Sequence, residues 1–407
     1  MIRLLLPFLL AVSLLLRGQT PYVLLVSFDG FRHDYVERFQ LPNFQAFIRE
    51  GAAADGLIPS FPSKTFPNHY SIVTGLYPGN HGLVDNQFYD PDRGEMYGGR
   101  WRSTVEDPYY YGGTPLWKLA RQHELKSASY FWVGSELAVD GEHPDYYYLY
   151  NDSIEFEQQI DQVITWLRLP AAERPHFITL YFSSPDHESH EFGPVAPETQ
   201  KTLQRMDSLL GLLMQGVRST RLPVNVILVS DHGMKEMKLQ SETFIFLDEL
   251  MQLNHPGVRF ANGGTQVHLY TSNPQQRDSL FQHLNRQEKH FTVMKREEFP
   301  ERWHYDHPRS GELLMVVEPG FYFRDRNRSR FVASMPKQEH FGAHGFDPAT
   351  NEDMRGIFYA QGPNVKSGSR LPAFQNIHIY PLIARMLKMK TPSIDGDEKV
   401  LGSIFQE

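Results

Sequence analysis

Several side chains in this sequence are of the types that hold divalent metals, and one hydroxyl stands ready to work beside them. Asp29 closes one apolar run, Asp231 and His232 close another, and Asp186 and His190 follow a third, four residues apart. His344 sits next to Gly345 in a loop whose backbone freedom lets the ring turn inward. Singly, each has an ordinary reading as a turn aspartate, a helix cap or a satisfied core histidine. Together they supply two carboxylate–imidazole sets, enough for a two-metal centre about 4 Å across that clamps both sides of a phosphoryl displacement. Carboxylates mixed with imidazoles favour zinc or a similar transition ion over calcium. The candidate nucleophile is Thr65, in a Pro-flanked stretch that opens onto a helical run from Tyr70 to Thr74. Metal coordination lowers the pKa of such a hydroxyl. Its competing reading is a helix N-cap.

The elements that must position these groups alternate between strand and helix. Tyr22–Phe28, Phe177–Phe182 and Val224–Ser230 are continuous apolar runs, the pattern of strands buried on both faces. Amphipathic stretches at 153–169 and 198–214 lie between them. This alternation predicts an α/β fold with a mostly parallel sheet covered by helices on both faces. In such sheets ligands bind beyond the carboxyl ends of the strands, where the acidic residues stand. Residues 262–340 depart from the pattern and read as β-hairpins, an inserted cap over the site that includes Leu313–Val317 and Gly320–Phe323. Arg324, Arg326, Arg328 and Arg330 alternate, which would place them on one face of a strand, read as a solvated hairpin surface, with a contact to anionic substrate or lipopolysaccharide as the alternative.

Composition narrows the functions further. The chain has 407 residues, with 40 Lys and Arg against 48 Asp and Glu, and a formal charge of -8. That balance, without a long basic run, argues against a nucleic-acid partner. The absence of Cys excludes disulfide scaffolds, thiolate metal sites and Cys nucleophiles. Residues 1–20 read as a signal peptide, with Arg3 followed by an apolar run from Leu4 to Leu16. That run is shorter than the roughly 20 residues a bilayer-spanning helix needs. The expectation is an exported chain, periplasmic, secreted or at the cell surface, with no integral membrane segment once residues 1–20 are removed. No G-x-S-x-G elbow, phosphate-binding P-loop or dinucleotide fingerprint is present. His187-Glu188-Ser189-His190 misses the zincin pattern because its two His are three residues apart, not four.

The blocks around these residues carry a resemblance. They are VSFDGFR at 26–32, PSFPSKTFPNHYSIVTGLYPGNHG at 59–82, VDN at 84–86, LKSASYFWVGSEL at 125–137 and HPDYYYLYN at 143–151. They continue with ERPHFITLYFSSPD at 173–186, HEFGPV at 190–195, SDHGM at 230–234 and AHGFD at 343–347. In order and spacing the sequence resembles the nucleotide pyrophosphatase/phosphodiesterase family of the alkaline phosphatase superfamily, over nearly all of residues 21–407. The resemblance implies two Zn2+ per chain. One would be held by Asp29, Thr65, Asp231 and His232, the other by Asp186, His190 and His344. It implies Thr65 as nucleophile and Asn86 as the donor that steadies a phosphate oxygen as charge builds. It also implies a small-molecule nucleotide substrate, cleaved to a nucleoside 5'-monophosphate through a threonyl-nucleotide ester.

Phe66 and Tyr147 stand at positions resembling the family's base-sandwiching aromatics, with Trp132 and Glu136 as polar partners nearby. Val133 replaces a Pro usual in the nucleotide-cleaving branch. Choline-phosphate or lysophospholipid diesters are the alternative substrates within the family, and a phosphomonoesterase is the alternative within the superfamily. The latter would need an extra cation, for which Arg32 is the nearby candidate, itself expected at the surface. A sulfatase is disfavoured, because its formylglycine comes from a Cys or a Ser in a motif of its own.

Overall fold

In the computed structural model, which describes residues 20–138, 141–325 and 327–407, an eight-stranded sheet carries the site. The predicted signal peptide, but for Thr20, and Arg326 lie outside the described residues. In chain order the strands begin with β1 (Tyr22–Phe28), β2 (Ala52–Ala54), β3 (Ser127–Tyr130), β4 (Tyr146–Tyr148), β5 (Phe177–Phe182) and β6 (Val224–Val229). A separate antiparallel sheet follows, from β7 (Val258–Asn262), β8 (Gln266–Thr271), β9 (Phe291–Lys295) and β10 (Leu313–Val317). The chain then returns to the large sheet through β11 (Phe358–Gln361) and β12 (Ser369–Leu371). The spatial order of that sheet is β12-β2-β11-β6-β1-β5-β3-β4.

Every residue of β1 is buried, because both faces of the sheet are covered. Tyr22, Leu24, Val26 and Phe28 enter one core, with α1 (Pro42–Glu50), α3 (Phe156–Leu167) and α5 (Pro197–Thr220). Val23 and Leu25 enter the other, with α2 (Thr65–Thr74) and α8 (Ile379–Met386). The predicted helix at 198–214 continues to Thr220, since Val217 keeps the buried stripe going. The one predicted at 153–169 starts only at Phe156.

β1 lies between β5 and β6 and is parallel to both, with Leu25 opposite Thr179 on one side and Ile227 on the other. Their carboxyl ends therefore emerge at one edge, which is what brings distant acidic residues together. β11 is the exception in direction, antiparallel to β6 and β2.

The inserted sheet has its own apolar cluster, with Val267, Leu269, Leu313 and Met315 against Leu284 of α6 (Pro274–Asn285). The segment Tyr322–Arg324 is not part of a hairpin. It pairs in parallel with Phe244–Phe246, outside the four-stranded sheet. Arg328 and Arg330 do not continue that strand either, for they lie in α7 (Arg328–Ala333), capped by Asn327. No helix among the described residues is long and apolar enough to cross a membrane.

Candidate active site

A cleft of about 1060 Å³ opens at the carboxyl edge of β1, β5 and β6. Asp29 directly follows β1, Asp231 and His232 lie just past β6, and Asp186 begins α4 (Asp186–Phe192) after β5. Asp29, Asp231, His232 and His344 are buried, and Asp186 is half-buried. Two groups gather donor atoms within 4.8 Å of one another: Asp29, Asp231 and His232, and Asp186, His232 and His344. His232 therefore stands between the two sets. Its ring is stacked on that of His344 at 3.6 Å between centroids. His190 Nε2 lies 3.5 Å from Asp186 Oδ1.

The polar atoms around this cluster fit a metal centre. Nδ1 of His190 faces the carbonyl of Gly342 at 2.8 Å, Nδ1 of His232 that of Gly233 at 2.9 Å, and Nδ1 of His344 that of Ser63 at 2.7 Å. A carbonyl only accepts, so each Nδ1 donates, and each Nε2 is the ring nitrogen turned toward the carboxylates, where a metal could take the place of its proton. One oxygen of each acid, Asp29 Oδ1, Asp186 Oδ1 and Asp231 Oδ2, is buried without a hydrogen-bond partner. Orphaned anionic oxygens are costly unless a cation completes them.

The electrostatics agree. Burial and the charges of Asp231 and Asp186 push the Asp29 carboxyl well above its usual range. Burial, then the positive neighbours His232, Lys64 and His190, hold His344 well below the usual imidazole range, hence neutral. A divalent cation among these groups would let Asp29 ionise and would use the neutral ring of His344.

Thr65 is the first residue of α2, and the cap position is occupied by Lys64 without a side-chain cap. Its Oγ1 lies 3.2 Å from His232 Nε2, so the hydroxyl faces the cluster and is not spent on capping. Asn68 fixes the approach to it. Its Oδ1 accepts from Ser60 N at 2.7 Å, and its Nδ2 donates to the carbonyls of Lys64 and Pro62 at 2.8 and 2.9 Å. Asn86 also lines the cleft, and its Oδ1 accepts from the N–H of Phe66 at 2.8 Å. Because an N–H must face an oxygen, this contact sets which way the amide points and leaves Nδ2 as its donor.

The aromatic positions are rearranged relative to expectation. Phe66 lines the cleft, but Tyr147 does not: it lies on the edge strand β4, stacked on His143 at 4.4 Å. Tyr150, three residues on, lines the cleft instead. Trp132 is buried and donates from Nε1 to the carbonyl of His69 at 3.0 Å. The Glu136 carboxylate is already engaged, by Arg102 and by the N–H of Tyr150. Arg32 is not at the surface: it is buried, bonded to Asp34 at 2.7 Å and to the carbonyl of Met234 at 3.0 Å. His187 stands exposed at the cleft rim.

Tyr181, whose hydroxyl donates to Asp29 Oδ2, and His69, 3.5 Å from Asp231 Oδ2, are site neighbours that sequence reasoning did not single out. Tyr181 could have been found from strand parity, since it shares with Thr179 the one polar-tipped face of a run that is apolar elsewhere.

The family described as type I phosphodiesterase / nucleotide pyrophosphatase matches residues 23–347. The chain belongs to that family. It is 34% identical to mouse ectonucleotide pyrophosphatase/phosphodiesterase family member 1 over 404 residues, covering 96% of this chain and 43% of that protein. It is 35% identical to a venom phosphodiesterase of Macrovipera lebetinus over 403 residues, covering 95% and 45%. The chain thus spans under half the length of these relatives. Among solved structures it is similar to murine ectonucleotide pyrophosphatase/phosphodiesterase 5, an inactive variant in complex with AMP. There the TM-score is 0.86 at 27% identity, covering 95% of this chain and all of that one. The human protein of the same name gives a TM-score of 0.86 at 28% identity. The α/β architecture is accordingly the alkaline phosphatase-like one of this family.

Proposed function

We propose that this member of the phosphodiesterase/pyrophosphatase family is an exported two-zinc enzyme that hydrolyses nucleotide phosphodiester or pyrophosphate bonds to nucleoside 5'-monophosphates. The observation that carries the reading is the set of three imidazoles with Nδ1 committed to backbone carbonyls, their Nε2 atoms turned toward three acids with orphaned oxygens beside Thr65. Asp29, Thr65, Asp231 and His232 would hold one zinc, and Asp186, His190 and His344 the other. Bound there, the metals would supply Lewis acidity that lowers the hydroxyl pKa and offsets phosphoryl charge.

The chain's own groups do the rest. Thr65 gives up its hydroxyl proton, which the departing group takes up through solvent, and Oγ1 forms a bond to the α-phosphorus as the bond to the leaving group breaks, so the nucleotidyl group remains esterified to Thr65. Asn86 Nδ2 donates to a non-bridging oxygen as charge accumulates. Water then attacks the same phosphorus, releases the monophosphate and restores the hydroxyl. Phe66 and Tyr150 flank the cleft at positions suited to stacking a base, which contributes roughly 1–3 kcal/mol. The AMP complex of the similar murine protein supports a nucleotide there. Export through residues 1–20 is supported by relatives named as ecto-enzymes and venom enzymes. A phosphomonoesterase is disfavoured because Arg32, the cation named for the extra phosphate charge, is buried and already paired.

The test compares the nitrophenyl ester of TMP with nitrophenyl phosphate and a choline-phosphate ester, for the wild type and Thr65→Ala. Turnover of the nucleotide ester should dominate and vanish in the variant. Wild-type-like turnover by Thr65→Ala removes the nucleophile assignment. Preference for the monoester or the choline ester removes the substrate assignment.

A further inference from the structure

One buried ionic cluster beside the cleft takes no part in the steps above. Asp85, 1% exposed, precedes Asn86, and its Oδ1 accepts the backbone N–H of Asn86 at 2.6 Å. Its Oδ2 accepts from Gln266 Nε2 and lies 3.0 Å from His268 Nε2. Gln266 and His268 are two apart on β8, so they share the face opposite Val267 and Leu269, which pack in the core of the inserted sheet. His268 is itself braced, its Nδ1 lying 3.1 Å from the carbonyl of Ser310. The turn between β7 and β8 closes over the same carboxylate: a Cβ on Gly263 would come within 2.9 Å of Asp85 Oδ2.

We propose that Asp85 is a positioning residue, through which β8 of the inserted sheet holds the Asn86 amide in register with Thr65. The proposal rests on the reading of Asn86 as the phosphate-oxygen donor. The connection is short and continuous. β8 grips Asp85, Asp85 grips the Asn86 backbone, and Asn86 Oδ1 grips the N–H of Phe66, the residue after Thr65.

A buried carboxylate is a poor device for stability alone, because apolar packing of the same volume holds two elements together without desolvating a charge. It is a good device for fixing direction, since each of its hydrogen bonds has a required angle. Burial alone would raise the Asp85 carboxyl. The hydrogen bond and charge of His268, the charge of Lys64 and the Gln266 amide instead hold it below its usual range. Asp85 is therefore an anion while the enzyme works.

The test is a double-mutant cycle on the full chain with the nitrophenyl ester of TMP, using Asp85→Asn, His268→Gln, Asn86→Ala and the two doubles with Asn86→Ala. A misplacement of about 1 Å can cost on the order of a hundredfold, so each of the first two variants should lower kcat by about tenfold or more. KM should hardly move, because the group being misplaced acts in the transition state. In the Asn86→Ala background the same changes should cost less than about twofold, since the donor they position is gone. Losses that multiply, or a fall expressed only in KM, overturn the relay and leave the donor reading standing. Full activity in Asn86→Ala removes the donor reading, and the relay with it. Should Asp85→Asn fail to fold, His268→Gln reaches the same carboxylate from β8 and decides alone.

Discussion

Replacing Asn86 separates charge stabilisation from local structure. Its Oδ1 accepts from Phe66 N at 2.8 Å, so the side chain both braces the start of α2 and offers Nδ2 to the cleft. Asn86→Ala removes both functions. Loss of one oxyanion donor is worth about 10²–10³ in kcat, roughly 2.7–4 kcal/mol. Asn86→Asp is the better structural mimic, because one carboxylate oxygen can still accept from Phe66 N. Its second oxygen, however, sets a negative charge where the donor stood, facing an anionic substrate. Two such charges about 4 Å apart repel by about 4 kcal/mol at an effective dielectric constant of ~20. The variant that disturbs the structure least should therefore be the slower one. Steady-state kcat on the nitrophenyl ester of TMP, with thermal melts to show that both variants fold, provides the measurement. An Asp variant as fast as the Ala variant, or an Ala variant within about threefold of wild type, would refute the donor role.

Other outcomes follow from the same geometry. Exhaustive chelation should abolish turnover and lower Tm together, because a metal bound only by the native state stabilises it by about 2.7 kcal/mol at 100 times Kd. Zinc should restore both, and activity that survives verified metal removal rules the centre out. Tyr150→Ala should lower kcat/KM for nucleotides by about tenfold, equal to roughly 1.4 kcal/mol, and barely affect bis-nitrophenyl phosphate, which has no base. Tyr147→Ala should change neither substrate, and a nucleotide-selective loss there would return the stacking role to Tyr147. His81 is buried, with Nδ1 accepting from Leu83 N at 3.1 Å and Nε2 at 3.0 Å from Ser71 Oγ, and burial lowers its pKa to about 3. The unfolded chain takes up that proton near pH 6.5 and the native state only near 3, so this contribution to stability is lost as pH falls between those values. It amounts to at most about 5 kcal/mol. Denaturant melts of His81→Gln should show a flatter acid limb than wild type, and an unchanged limb would contradict the assignment.

Much of the scaffold was legible because burial on two faces leaves a strong mark. β1, β5 and β6 are apolar but for Ser27, Thr179 and Asn225 and the tyrosine hydroxyls, and the acids that end or follow them announce the edge where a site can form. What the sequence left unmarked is contact through the backbone. The carbonyls of Ser63, Gly233 and Gly342, which set the three imidazole tautomers, belong to residues whose side chains say nothing about that task. The arginines at 324–330 show the opposite failure. Four alternating charges suggested a strand, yet Asn327 caps a helix within the same stretch, and a capping residue was a better guide than charge spacing over so short a segment.

The tyrosines show why residue type could be read from sequence while position could not. Tyr146, Tyr147 and Tyr148 form β4, and a strand turns successive side chains to opposite faces. As the edge strand of the sheet, paired only with β3, β4 presents Tyr147 to His143, away from the cleft. Tyr150 escapes that alternation because it lies beyond the strand, where Glu136 accepts its backbone N–H. Glu136, expected to contact the substrate, lines the cleft, pairs with Arg102 and holds the segment that bears the cleft's tyrosine. Its carboxylate therefore bears on base binding through Tyr150. On this geometry Glu136→Gln, which keeps the oxygen facing Tyr150 N, should preserve nucleotide selectivity. Glu136→Ala should lose it to about the same extent as Tyr150→Ala and add little in the Tyr150→Ala background, where a direct contact between Glu136 and the base would add a loss of its own.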